Sequence, residues 1–199
     1  MSQPVMPTSK AEALACDRTD TLAGLRDHFI VPDGMIYLDG HSLGVASHSA
    51  LERTQSAARQ EWTQGLIGSW NTAGWFDLPS RTAAALGPLI GGAPEDIIIC
   101  DSVSVNLFKL ATAALPLAGG EKVVMVERDE FPTDQYIAES LSKFGGAAFK
   151  RLAPGEGLSA LERGGVLIKS VVSYRTGAVC DIAAHERVAA ESGALIVWD

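Results

Sequence analysis

Cysteine is scarce in this chain of 199 residues, with only Cys16, Cys100 and Cys180, far apart and odd in number. Such a set excludes a disulfide framework, and no Cys-x-x-Cys spacing offers a zinc site. This usage fits a reducing cytoplasm, with each thiol expected as a small core hydrophobe. Clustered cations are also lacking. Sixteen Lys and Arg stand against 24 Asp and Glu, for a net charge of -8. No nucleic-acid partner is expected, because phosphate neutralisation needs clustered cations. No apolar run reaches the roughly 18 residues of a membrane helix, so no membrane span is expected. Met1 to Ala15 lacks the basic start, apolar stretch and cleavage site of a secretory leader. Neither nucleotide loop, GxGxxG or GxxxxGK[ST], occurs. His41 and His48 have no carboxylate arrangement around them that suggests a metal, and none is expected.

What is present is apolar material. At 47% apolar and 20% charged residues the chain can build a core and is not a disordered tail. Its length suggests about one to one and a half domains. Residues 1–9 read as a loose tail. Ala13, Leu14, Leu22, Leu25 and Phe29 recur at helical spacing, so one or two short helices are expected between Lys10 and Phe29. Met35–Leu38 reads as a short strand, Asp39–Gly44 as a glycine-flanked loop, Ser47–Gln64 as a helix, Gly65–Phe76 as a Gly- and Trp-rich loop, and Leu78–Ile90 as a helix. Strands and helices then alternate. Strands are expected at Ile97–Cys100, Lys122–Val126, Ala147–Arg151, Val166–Val172 and Ala194–Val197. Helices are expected at Ser102–Leu115, Pro132–Phe144, Leu158–Glu162 and Ala183–Ser192. Apolar strands alternating with helices imply an α/β domain with a mainly parallel sheet and flanking helices. We divide the chain into an N-terminal tail and helical segment, 1–34, and an α/β part, 35–199.

In open α/β sheets ligands collect at the carboxyl ends of strands, so those ends hold the candidate residues. Asp101–Asn106 opens a helix whose first amides could bind phosphate, or whose Ser102 or Ser104 could simply cap it. Phe131, Pro132, Thr133 and Asp134 enter the next helix. Phe131 could stack on a flat ring while Thr133 or Asp134 supplies hydrogen bonds; a proline at the first turn and an acid at the positive dipole end would explain the same residues. Ser170 ends a strand, and Arg175 reads as a surface charge. Asp199 follows Ile-Val-Trp, and a carboxylate there is costly to bury unless paired, for example with a protonated ring nitrogen. Trp62, Trp70 and Trp75 lie close together. Those on glycine loops suit an aromatic ligand or a subunit interface, whereas Trp62 is expected in the core.

Taken together, these segments resemble the kynureninases, pyridoxal phosphate enzymes of the aspartate-aminotransferase fold type. The resemblance rests on Tyr37-Leu38-Asp39-Gly40-His41-Ser42-Leu43-Gly44, Trp70 to Trp75, Asp101 to Leu107, Phe131-Pro132-Thr133-Asp134, Ser173-Tyr174-Arg175-Thr176-Gly177 and Trp198-Asp199, in the family's order across residues 35–199. It implies the N-terminal part of a pyridoxal 5'-phosphate-binding large domain. Val103 and Ser104 would hold the cofactor phosphate, and Phe131 would stack on the ring within a segment running to Asp134. Ser170 would line the pocket, and Asp199 would pair with the ring nitrogen. Ser42 and Trp70 would lie near an aromatic amino-acid substrate. His41 departs from the family's usual asparagine. The resemblance further implies a cytoplasmic homodimer. The implied reaction is hydrolysis of L-kynurenine, or its 3-hydroxy form, to anthranilate, or 3-hydroxyanthranilate, and L-alanine. It also implies that the Schiff-base lysine falls outside residues 1–199, so that this chain is inactive alone. Two alternatives stand beside it: a related β-lyase or cysteine desulfurase, and a non-catalytic half-fold binding module.

Overall fold

A computed structural model describes residues 6–199, so the expected tail lies outside the described residues as far as residue 5. The chain divides into two compact units, one reaching Ile97 and one spanning Ile98–Asp199.

The second unit is built on a four-stranded sheet. Its strands are β1 (Val123–Glu127), β2 (Ala148–Leu152), β3 (Val166–Lys169) and β4 (Leu195–Trp198), in the order β2-β1-β3-β4. Every pairing is parallel, with Val124 opposite Phe149 and Val166, and Val166 opposite Leu195. Parallel strands need covering on both faces, and alternate side chains supply two cores. Val124, Val126, Val166, Ile168 and Val197 pack on one face with Leu107, Ala111, Ala138 and Leu141. Val123, Met125 and Leu167 pack on the other with Leu161 and Ala189. Each fully buried Met, Leu or Ile contributes roughly 1.5–3 kcal/mol. Lys150 and Arg151 are exposed on β2, a charged edge that resists pairing with other chains.

In the first unit, α1 (Lys10–Thr19) is capped by Ser9 and followed by a 3-10 turn at Ala23–His28. Next come α2 (His48–Ser56), α3 (Ser69–Thr72) and α4 (Leu78–Ile90). In the second unit, α5 (Val103–Ala114) and α6 (Pro132–Gly145) cover the first face of the sheet. The other face is covered by α7 (Gly157–Leu161) and α8 (Ile182–Ser192).

Several expectations need correction. Met35–Leu38 and Ile97–Cys100 are not strands. A strand exists through its hydrogen-bonded ladder, and among the described residues neither segment has one; Ile36 is 86% and Ile98 81% exposed. The expected strand Val166–Val172 ends at Lys169. Beyond it the Ser170 amide turns to a side chain, and Val172 bridges antiparallel to Val179. The stretch Gly65–Phe76 is more regular than a loop. The helix begun by α2 continues in wider π-helical turns over Ala57–Gly65 and leads through a 3-10 turn into α3. The Ser69 hydroxyl donates to the Glu61 carbonyl, and the Trp75 indole donates to Glu61 Oε2 at 2.6 Å, fastening the stretch together. Trp62 is not core but 67% exposed. Nor are the cysteines core residues: Cys16 and Cys100 are exposed and Cys180 is half-buried.

Candidate functional site

The second unit collects its polar residues at the carboxyl edge of the sheet. The connection after α5 is tied to the amino edge, where the Gly119 amide donates to the Gly193 carbonyl at 2.7 Å, just before β4. α5 has 12 residues; at 1.5 Å each, roughly 18 Å, it spans the sheet and places Val103 and Ser104 at the carboxyl edge. α6 starts directly after the turn that leaves β1, so Phe131 to Asp134 stand at the same edge. Ser170 follows β3 and Asp199 follows β4. They meet through backbone bonds: the Asp199 amide donates to the Lys169 carbonyl at 3.0 Å, and the Val171 amide donates to the Asp199 carbonyl at 2.9 Å.

The start of α5 is open. Ser102 occupies the cap position with extended backbone, yet no side chain caps the helix and no acid lies in its first turn. The capping role considered for Ser102 and Ser104 is therefore absent. Asp101, held at a φ of 34°, is drawn into an ion pair with Lys109. Asn106 reaches back to the Cys100 carbonyl at 3.1 Å. Uncapped amides at the positive end of a helix dipole, with the half-buried Ser104 hydroxyl beside them, suit an anion such as a phosphate.

The start of α6 differs in kind. Phe131 is 45% exposed, and its ring meets Tyr174 edge-on with centroids 5.1 Å apart. A ring so held keeps aromatic surface for a flat partner. Thr133 is exposed and lies 3.4 Å from Asp134 Oδ1. On this face of the edge Asp134 is the buried carboxylate, only 1% exposed, and its Oδ2 has no hydrogen-bond partner among the described residues. Burial, with the negative charge of Asp199 second, raises its pKa to about 6. Asp199 is itself exposed, although loss of water at the edge and the charge of Glu130 hold its carboxyl above the ordinary range. The costly burial expected of Asp199 thus falls on Asp134. Asp199 follows Val197, whose side chain packs on the face covered by α5 and α6, and alternation puts Asp199 on that same face.

The residues of this edge offer amides for an anion, an aromatic face for a flat ring and carboxylates for a proton-bearing nitrogen. Pyridoxal phosphate has these three features, and a buried carboxylate with an unmet acceptor oxygen is chemistry that a protonated ring nitrogen suits.

On the opposite face the same edge carries an ion cluster that sequence reasoning missed. Lys169 Nζ lies 2.8 Å from Glu127 Oε2 and 2.7 Å from Glu130 Oε1. The available signal was the one read at Asp199, a charged residue ending an apolar strand; it recurs at Glu127 and Lys169. A cavity of about 310 Å³ opens there, lined in part by Lys169, Ser170, Cys180 and His185. Arg175 lines it too and stacks on Tyr174, which gives it more than the role of a plain surface charge. Among the described residues no His, Cys, Asp and Glu group could hold a metal.

Ser42 and Trp70 belong to the first unit. The Ser42 hydroxyl donates to Asp39 Oδ1 at 2.8 Å, and the Tyr37 hydroxyl donates to the Leu43 carbonyl at 2.7 Å, closing the loop. Trp70 is half-exposed and meets Trp75 edge-on at 6.2 Å.

No protein-family model matches the chain. It is 44% identical over 199 residues to the kynureninase of Burkholderia pseudomallei (strain K96243), a match covering 96% of this chain and 48% of that protein. The chain spans about half the length of the curated relatives it matches. Among solved structures it resembles the cysteine desulfurase CsdA of Escherichia coli, with a TM-score of 0.68 at 18% identity, covering 90% of this chain and 48% of that one. A C-DES mutant with glycine covalently linked to its PLP cofactor gives a TM-score of 0.69 at 18% identity, covering 87% of this chain and 49% of that one. At that identity the likeness concerns the fold. The parallel sheet and flanking helices are thus those of the aminotransferase-like fold, and across 96% of its length the chain is similar to the kynureninases.

Proposed function

We propose that this chain forms the pyridoxal 5'-phosphate-binding part of a kynureninase. Such an enzyme is a hydrolase of carbon–carbon bonds that converts L-kynurenine or 3-hydroxykynurenine to anthranilate or 3-hydroxyanthranilate and L-alanine in tryptophan degradation. When bound, pyridoxal phosphate supplies an electron sink for carbanion chemistry. The first-turn amides of α5, with the Val103 backbone and the Ser104 hydroxyl, hold its phosphate. Phe131 covers the ring, Pro132 fixes the helix entry that aims it, and Thr133 and Ser170 line the pocket, Ser170 from a strand end that also borders the Lys169 cavity. Asp199 and Asp134 keep a proton on the ring nitrogen, because two acids at one edge stabilise a neighbouring cation. Ser42 and Trp70 face the aromatic amino-acid substrate. Of the lysines, Lys169 is engaged by Glu127 and Glu130, and Lys109 by Asp101. As the resemblance to the kynureninases implies, the cofactor-bearing lysine is assigned to the part of the family's length outside these 199 residues, and activity to a family-length, cytoplasmic homodimer.

The observation that carries this reading is the buried, unpartnered Asp134 oxygen beside Asp199, on the edge and face where the uncapped start of α5 also stands. The 44% identity to a kynureninase favours kynurenine over the cysteine of the fold neighbours. In a family-length protein containing this chain, Asp199→Asn is expected to keep cofactor with weaker affinity and to lower anthranilate production by on the order of a hundredfold or more. Near-normal turnover would contradict the assignment.

A further inference from the structure

The ion cluster on the opposite face touches the proposed cofactor site through the backbone. Glu127 and Glu130 are 3% and 5% exposed, and Lys169 lies between them. Each acid uses its second oxygen on a different part of the fold. Glu127 Oε1 accepts the Gly157 amide at 2.7 Å, at the start of α7. Glu130 Oε2 accepts the Ser170 amide at 3.3 Å. The turn carrying Glu130 is closed by Gln135, whose side-chain amide donates to the Glu130 and Arg128 carbonyls at 2.8 and 3.2 Å. Glu130 immediately precedes Phe131, and Lys169 immediately precedes Ser170. A single ammonium therefore sets the distance between the two backbone points from which a ring-covering residue and a pocket-lining residue project.

We propose that Glu130, anchored by Lys169, is a positioning residue that fixes Phe131 and Ser170 against the cofactor from the far side of the sheet. The proposal rests on the pyridoxal phosphate reading above. The anchor is permanent at neutral pH. Burial acts to lower the Lys169 pKa, but the hydrogen bonds that the ammonium donates to Glu127 and Glu130 outweigh it, and it is held above its ordinary range. Burial acts to raise Glu127, yet the Lys169 and Gly157 bonds leave its carboxyl below the usual range. The two acids share the lysine but divide the labour, since Glu127 serves α7 and Glu130 serves the site. That division separates positioning from mere stability.

The test uses a family-length protein and three variants, Glu130→Ala, Glu130→Gln and Glu127→Ala. Each leaves Lys169 one acid, so no variant strands a buried lysine. Cofactor dissociation constants are read by equilibrium dialysis, and the asymmetry of the ring environment by the circular dichroism of the bound-cofactor band; thermal melts report stability. Glu130→Ala should weaken pyridoxal phosphate about tenfold or more and shrink the dichroism per bound cofactor, since small misplacements around a site are costly. Glu130→Gln, which keeps an acceptor for the Ser170 amide, should recover part of both. Glu127→Ala should lower the melting temperature while leaving the dichroism at its wild-type amplitude. If Glu130→Ala and Glu127→Ala alter affinity and dichroism alike, or neither alters them, Glu130 is structural and the inference is overturned while the cofactor reading stands. If the wild-type protein gives no cofactor band at all, both fall together.

Discussion

Replacing Asp134 by asparagine tests the electrostatics of the site without requiring turnover. Asp134 is fully buried, one oxygen has no partner, and its pKa rises from 3.8 to about 6. That rise corresponds to about 3 kcal/mol, at about 1.4 kcal/mol per tenfold change in proton affinity. The sign follows from linkage. Below the unfolded value of 3.8 the carboxyl is neutral in both states and costs nothing. Between 3.8 and about 6 the unfolded chain ionises first and stability falls. Above that window the full penalty remains, because the folded protein must hold a buried charge facing Asp199. An asparagine is never charged, so the variant should escape the penalty. In cofactor-free, family-length protein, urea unfolding at pH 8 should show Asp134→Asn more stable than wild type by about 1–3 kcal/mol, the amide's own unmet hydrogen bonds offsetting part of the gain. At pH 4 the two proteins should differ by much less. Pyridoxal phosphate should reverse the order at pH 8, because its ring nitrogen gives the aspartate a partner that the amide cannot match. A stability difference that is the same at pH 4 and pH 8 would refute the electrostatic account.

Other outcomes are equally specific. Ser104→Ala should weaken pyridoxal phosphate severalfold and leave pyridoxal, which has no phosphate, unaffected; equal losses in dialysis would remove the phosphate role. Leu167→Ala, at the centre of the α7/α8 core, should cost about 2–5 kcal/mol in denaturant unfolding, and a cost below 1 kcal/mol would contradict the packing. Gly164 has a φ of 83°, and a Cβ there would collide with the Gly119 carbonyl. Gly164→Ala should therefore lower the melting temperature by more than Gly155→Ala, which shares the positive φ but meets no neighbour.

Much of the second unit was legible in the sequence because its rules are local. Apolar runs of four or five residues mark β1, β3 and β4, and glycine at helix ends and Pro132 at a helix start mark α5 to α8, to within a few residues. The same locality explains the failures. Ile97–Cys100 has the composition of a strand and no ladder partner among the described residues, and nothing within four residues reveals whether a partner exists. Trp62 sits in a segment with helical character, but a large apolar side chain on a helix does not say what packs against it. Of the site, the sequence marked Ser104, Phe131, Asp134, Ser170 and Asp199 as strand-end candidates, since the carboxyl ends of a parallel sheet are where connections open.

Local sequence pattern sets the alternation of strand and helix, and with it which residues fall at one edge of a parallel sheet. Packing in three dimensions makes Asp134, and not Asp199, the buried acid on the α5/α6 face of the edge. It alone leaves the start of α5 uncapped and has Lys169 join Glu127 to Glu130 across the sheet. The reason is physical: period and turn chemistry act over a few residues, whereas burial, charge pairing and desolvation depend on neighbours brought together from distant parts of the chain.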